Sequence, residues 1–535
     1  MMIFSLRPAL AVAIPLLAAL LILFFGNRVK PNVREAITLI AAVSMTAVIF
    51  SMVPAVLAGQ EYTANLWNLA DGLTLSLRTD AAGMVFACIA SFLWILTSVY
   101  SIGYVRGHHE KNQTGYFAAF AACLGSAAGI ALAANLLTFF VFYEMLTLAT
   151  YPLVAHYRDD KAKASGRKYL GYTLISGQMF FAAIVWVYVQ YGTLEFVPGG
   201  FIEPESMGAG LMCLLFFLMI VGGAVKAGVM PLHGWLPSAM VAPTPVSALL
   251  HAVAVVKAGA FCVLRVVCYV FGPAAASWCG AAEVLGWFAV ATILLSSLVA
   301  MRQDNLKARL AFSTVGQLSY IVLGIAVLAP YSIAGAVFHI VAHAFLKITL
   351  FMSAGAIFVT TGLSEISTMG GLAKRMPATF TCFTIVSLGI AGLPMMAGFV
   401  SKMNILEGAY LMGKPFFIAT LIAAALLALT YLMPVVQMAF GKGNAGQAPA
   451  HGHGHDGHGY DAHGGKPGFD AAPAMLVPLM LTALVAIILG CEPNAGVHLY
   501  DLAQMAAEAI TKGGMYDEEK SVSFSVCIPA GDGCN

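Results

Sequence analysis

Charge is scarce in this chain. Only 10% of its 535 residues are Asp, Glu, Lys or Arg, while 60% are hydrophobic, and a soluble globular domain is about 25% charged. The 27 Lys+Arg nearly balance the 25 Asp+Glu, so no basic field for nucleic acid is expected. No CxxC, CxxCH or glycine-rich nucleotide fingerprint occurs, which leaves iron–sulfur, c-type haem and dinucleotide sites without support. Of ten cysteines, eight (Cys88, Cys123, Cys213, Cys262, Cys268, Cys279, Cys382 and Cys491) lie in or beside apolar runs with no ligand spacing, and read as small buried hydrophobes. Neither cofactor nor resident metal is expected; if electrons move, they move in another subunit.

What is abundant is apolar length. A hydrocarbon core needs roughly 20 apolar residues in helical form, and about fourteen such runs lie between residues near 8 and 490. The expected fold is an all-α polytopic membrane protein. The first run, ALAVAIPLLAALLILFF, is read as helix one, because no small-residue cleavage site followed by a polar region comes after it. Basic loops remain on the cytoplasmic side. With fourteen spans, alternate loops collect 17 Lys and Arg, from Arg28, Lys30 and Arg34 through Lys442 and Lys466, while the opposite loops and both termini hold five. Both termini are therefore expected on the non-cytoplasmic side of a bacterial or archaeal cytoplasmic membrane.

Two spans are interrupted. IVGGAVKAGVMPLHGWLP carries Lys226 ahead of Pro231, and LGIAGLPMMAGFVSK carries Lys402 after Pro394. Proline deprives the carbonyl four residues back of its helical donor, here near Ala227 and Ile390, and bare carbonyls at membrane depth are tolerated where they line a cavity or pack on protein. The opposite order of lysine and proline suggests two halves of inverted topology, an arrangement in which broken helices mark ion sites; kinks that serve packing are the plainer alternative.

Buried charge sharpens the reading. Lys226, Lys257 and Lys347 inside spans would together cost on the order of 8 to 10 kcal/mol on insertion scales, so something must require them. Desolvation disfavours a charged amine, and a lysine in a dry helix can therefore load and release a proton. In HIVAHAFLKITLF, His339, His343 and Lys347 are spaced i, i+4 and i+8, within about 80° of one another and roughly 6 Å apart along a helix. In PVSALLHAVAVVKAGAF, His251 and Lys257 are six apart and would point about 120° away from each other on one continuous helix. The one acid deep in a span is Glu144, in LLTFFVFYEMLTLATYPL, and it is expected to pair with an intramembrane lysine, Lys226 first.

KAGVMPLHGWLPSAMVAPTPVSALLHAVAVVKAGAF, with Glu144 upstream and HAFLKITLF and GLPMMAGFVSK downstream, resembles the antiporter-like proton-translocating subunits shared by respiratory complex I, membrane-bound hydrogenases and Mrp-type cation/proton antiporters. The wording of PTPVSALLHAVAVVKAG is most similar to Mrp subunit-D-like proteins. The resemblance implies fourteen helices with two inverted five-helix repeats, each with a half-channel and a broken helix. It implies an ion pair of Glu144 and Lys226, a linking lysine in Lys257 beside His251, and a relay of His339, His343 and Lys347. Lys402 is then the terminal lysine and Lys307, in NLKARLAFSTVGQLS, the lysine that opens helix ten. The implied layout is helices one to three in 1–113, repeats in 114–271 and 280–440, a His/Gly-rich cytoplasmic loop in 441–472, and the last span with a short tail in 473–535. The implied partners are other membrane subunits, lipid, protons and, in an antiporter, sodium; a pump subunit of a quinone-reducing or hydrogenase complex is the alternative.

Two other classes fit less well. A haem or copper protein using His339 and His343 would need ligands from opposed helices, and these two share a face. A solute transporter would line its path with neutral hydrogen-bonding groups, whereas the interior polar residues here titrate. The loop HGHGHDGHGYDAHGGKPG, residues 451–468, reads as disordered, and its five histidines could chelate zinc or nickel, either functionally or adventitiously. Cys527 and Cys534 in the tail are spaced so that a turn could bridge them.

Overall fold

Apolar runs of these lengths become helices, because a helix is the one open structure that satisfies its own backbone in lipid. The computed structural model describes residues 2–70, 73–442 and 470–513; the His/Gly-rich loop and the Cys527/Cys534 pair lie outside the described residues. The chain opens with α1 (Arg7–Phe25), α2 (Pro31–Phe50), the short α3 (Val53–Leu57) and α4 (Ala81–Gly107). There follow α5 (Gln113–Ala131), α6 (Leu136–Val154), α7 (Asp160–Tyr191) and α8 (Ala209–Ala227), then α9 (Trp235–Ser238), α10 (Thr244–Ala252), α11 (Val255–Arg265) and α12 (Gly272–Trp278). The rest is α13 (Ala281–Met301), α14 (Leu306–Ala326), α15 (Pro330–Thr361), α16 (Pro377–Ala391), α17 (Ala397–Leu411), α18 (Pro415–Phe440), α19 (Pro473–Cys491) and α20 (Leu499–Gly513).

Among the described residues, thirteen helical segments are long and apolar enough to cross a membrane, with Thr244–Trp278 acting as one. The fourteenth crossing is made by α16 and α17, each 15 residues and too short alone. A small sheet joins β1 (Met2–Phe4), β2 (Glu61–Ala70) and β3 (Leu73–Arg78), parallel for the first pair and antiparallel for the second, and the strict alternation of LTLSLR is its sequence signature.

Both punctuated spans break. Helix α8 ends at Ala227 with Gly228 at φ 73, and α16 ends at Ala391 with Gly392 at φ 96, conformations that glycine adopts without strain. A third break lies between α10 and α11, at Val253 and Ala254. It overturns the continuous helix assumed for His251 and Lys257, and with it their 120° separation. No glycine or proline marks it in the sequence.

Two stretches of the chain repeat each other. Asn135 caps α6 through its side chain and bridges Glu195; Asn305 caps α14 the same way and bridges Glu365. Each pair is 60 residues apart, and the second follows the first by 170. The same offset relates α7 to α15, both 32 residues long, and the glycines that end them, Gly192 and Gly362. Five crossings separate the start of α6 from that of α14, so the two units run in opposite directions. At the centre stands α15, buried without interruption from Ser332 to Ile357.

Candidate functional site

Glu144 lies midway along α6, and both its carboxylate oxygens are buried without a hydrogen-bond partner. The side chain fills the space left by Gly177 on α7, where a Cβ would stand 2.3 Å from Oε1. Lys226, in the last turn of α8, is fully buried. Its ammonium donates to the Tyr143 carbonyl at 2.6 Å and stands 3.2 Å from the centre of the Tyr143 ring, whose π face favours a cation. The Tyr143 hydroxyl donates to the Gly222 carbonyl at 2.6 Å, so this one residue binds α6 to α8 at two heights. Acid and lysine are near neighbours through Tyr143, yet no ion pair joins them.

The next group is reached across a close helix contact. Gly259 of α11 presses on the backbone of α8, where an added Cβ would meet the Ala227 nitrogen at 2.3 Å. Two residues before Gly259, Lys257 points the other way along the site, and its Nζ lies 2.8 Å from His343 Nδ1. With the ammonium donating, Nδ1 accepts and the imidazole proton resides on Nε2, which has no partner among the described residues. One turn earlier on α15, the His339 ring stands 6.0 Å from that of His343 and stacks on Tyr320. His339 Nδ1 is 2.8 Å from Ser401 Oγ. Adjacent Lys402 donates to the Ile390 carbonyl and holds its ammonium 4.6 Å from the Tyr320 ring centre. That carbonyl is the one Pro394 deprives of a helical donor, so the break itself supplies the lysine's acceptor.

Lys347, one turn beyond His343, leaves the row and donates to Ser313 Oγ at 2.6 Å and to the Leu310 carbonyl at 3.4 Å, both on α14. His251 packs on Phe351 at 4.7 Å between ring centres, fully buried, with both ring nitrogens unpartnered. Lys307 stands apart, at the start of α14 on the face of the basic loops, where it donates to the Ala242 carbonyl at 3.1 Å.

The structure thus gathers Lys257, His343, His339 and Lys402 into one row and Glu144 and Lys226 into a second group around Tyr143. Residues missed in the sequence are the neutral ones that hold the bases: Tyr143, Ser313, Tyr320 and Ser401. Hydroxyls are common in helices and carry no charge signal, so only their contacts single them out. A buried ion pair was missed as well, in which Arg265 donates to Asp80 from α11 to the N-cap of α4.

A chain-wide comparison with known proteins settles the lineage. The NADH:quinone oxidoreductase/Mrp antiporter transmembrane family matches residues 133–428, more than half of the chain. The protein belongs to this family. The match includes all of the residues placed above from Glu144 to Lys402. A relative within reach is NADH-quinone oxidoreductase subunit N of Desulforudis audaxviator, 28% identical over 491 residues, which cover 90% of this chain and 95% of that protein. A Na(+)/H(+) antiporter subunit of Alkalihalophilus pseudofirmus is 34% identical over 353 residues, 63% of this chain and 43% of that protein. Proteins of known structure share the fold: a chain of the Mrp complex from Dietzia sp. DQ12-45-1b superposes with a TM-score of 0.81 at 22% identity, covering 94% of this chain and 97% of its own. A chain of the membrane-bound sulfane sulfur reductase, an archaeal respiratory complex, gives 0.82 at 24% identity, with 95% and 98% covered.

Proposed function

We propose that this chain conducts protons across the cytoplasmic membrane as one subunit of a larger complex, along a mid-membrane path of Glu144, Lys226, Lys257, His343, His339 and Lys402, with Lys347 as a side store. The observation that carries this reading is the 2.8 Å contact of Lys257 with His343, both fully or almost fully buried and, among the described residues, with no acid paired to either. Two positive charges at that distance would repel by about 6 kcal/mol even at an effective dielectric near 20. The pair therefore accommodates one excess proton at a time. A proton delivered to Nδ1 releases the one on the unpartnered Nε2, and a bridging water would carry it on toward His339.

In this reading the driving force comes from partners. Other membrane subunits are the partners in this reading, the basic loops face the cytoplasm, and both termini face away from it. An antiporter assembly exchanging protons for sodium is the first reading, supported by the antiporter relative; a subunit of a quinone-reducing pump is the second, supported by the near full-length match to a subunit N. The inverted units fit half-channels that open to opposite sides. Lys307, beside the loop that enters α10, belongs at the mouth of the cytoplasmic one.

The test is Lys226→Ala in the assembled complex, reconstituted in vesicles and followed with a pH-sensitive dye. Transport is expected to vanish while the variant still assembles, since Lys226 contributes charge and little packing. Full proton movement in that variant would refute the proposal.

A further inference from the structure

A cluster of titratable side chains lies outside this row, at the face of the basic loops. Glu110, in the turn between α4 and α5, is buried. Its Oε1 accepts from the Tyr157 hydroxyl at 2.8 Å and lies 3.0 Å from His108 Nδ1, and its Oε2 lies 3.5 Å from His156 Nε2. Burial alone would raise the Glu110 carboxyl, but the hydrogen bonds from His108, His156 and Tyr157 outweigh it and hold it at about 2. The carboxylate is therefore a permanent negative charge held between two imidazoles. Of the other charges nearby, Arg106 donates to Glu35 and Asn32 and Arg34 to Gln113 and Thr114, while His109, Lys111 and Arg158 flank the cluster in sequence. Tyr157 is 40% exposed, so the cluster meets solvent on one side.

On its other side the cluster opens onto a buried column. Tyr104 stacks on His108 and its hydroxyl meets that of Tyr157. The Thr244 hydroxyl donates to Tyr104 Oη at 3.5 Å. Thr244 starts α10, and Ser247 and His251 follow at i+3 and i+7, on the same face of that helix. Ser247 Oγ and both nitrogens of His251 are fully buried and have no partner. A buried polar atom left unpaired costs roughly 1–3 kcal/mol, and three of them on one helix face require a ligand that satisfies them, such as mobile water.

We propose that Glu110, His108, His156 and Tyr157 form a proton-collecting site that draws on bulk hydronium, and that Tyr104, Thr244 and Ser247 pass its protons to His251. The hydroxyls relay by accepting a proton on a lone pair and releasing their own, so no charge stays on them, and water spans the steps along α10. From His251 the proton reaches the row through Lys347 or His343, one and two turns away on α15 from the Phe351 on which His251 packs. This inference rests on the proton-conducting function proposed above.

The experiment uses the assembled complex in vesicles, with proton transport measured from pH 6 to 9. Ser247→Ala decides between a relay and a structural role: deleting an unpaired buried hydroxyl leaves a merely structural helix as stable or more so. The expected result is normal assembly with transport slowed about tenfold, and a similar loss for Tyr104→Phe. Glu110→Gln is expected to lose transport increasingly as the pH rises and protons become scarce, with partial rescue in Glu110→Asp. Unchanged rates at every pH in Ser247→Ala and Glu110→Gln, in a preparation where Lys226→Ala is inactive, would overturn the collecting site alone. If Lys226→Ala is active too, the function proposed above falls and this inference with it.

Discussion

The two inverted units answer the same structural position in opposite ways. The 170-residue offset sets Tyr143 and Glu144 of α6 against Ser313 and Thr314 of α14, and Gly177 of α7 against Lys347 of α15. In the first unit the long helix has a glycine, and the short helix sends a carboxylate into the space it leaves. In the second the long helix has a lysine, and the short helix meets it with a hydroxyl. Position 143/313 receives a lysine in both, but from broken α8 in one case and from α15 in the other. One unit can thus change its charge by moving an acid toward or away from a base. The other holds only bases: among the described residues, Lys347, His339, His343 and Lys402 are buried there and no acid is. Like charges in a row cannot all be protonated together, so the second unit suits one proton passed along, and the first suits a charge switched in place.

Removing the distinguishing charge from each unit should have the largest effect. Glu144→Gln and Lys347→Met keep shape and lose the titrating group, and both are expected to lower transport at least about 100-fold with assembly intact. Loss in one and not the other would mean that the units are not coupled in series. Within the second unit, His343→Ala should be more damaging than His339→Ala, because His343 alone touches Lys257, whereas water can stand in for His339. Expected losses are about tenfold and about threefold, with Lys347→Ala worse than His339→Ala. Equal losses in all three would indicate a structural cluster and remove the contrast.

Gly177→Ala tests the switch with smaller force. Its new Cβ would collide with a carboxylate, the mobile end of a side chain, so the acid is displaced and the fold is kept. Transport should fall severalfold with thermal stability almost unchanged. Gly259→Ala is the control: its Cβ would meet the backbone of α8 at 2.3 Å, overpacking that costs about 1–3 kcal/mol and should appear as lost stability.

Much of this arrangement was legible in the sequence. Apolar length gave the crossings, Pro231 and Pro394 gave two breaks, and buried charge singled out the bases, because a lysine in a span is costly enough to need a reason. The break at Val253 and Ala254 was not legible, since neither glycine nor proline marks it and the β-branched valines there lower helix propensity only slightly. The hole at Gly177 was equally silent, because one glycine in an apolar helix signals nothing until Glu144 is found in it. The inverted units were suggested by the order of lysine and proline, while their register emerged only from the two Asn–Glu bridges.

Lys307 gives the smallest effect and the sharpest use of that register. Its counterpart in the first unit is Leu137, so the charge at this position is not part of what the two units share. Lys307 is only partly buried and donates to the Ala242 carbonyl, near enough to the face of the basic loops for water to replace it. A hydrogen bond from a charged group contributes about 1.5–3 kcal/mol when it is irreplaceable and less when water competes. Lys307→Leu, which makes the second unit match the first, should therefore slow proton transport by about threefold or less, measured in the same vesicles. A collapse as deep as that of Lys347→Met would place Lys307 within the conducting path and make the basic mouth of α14, and not only its buried middle, a point where the two units differ in function.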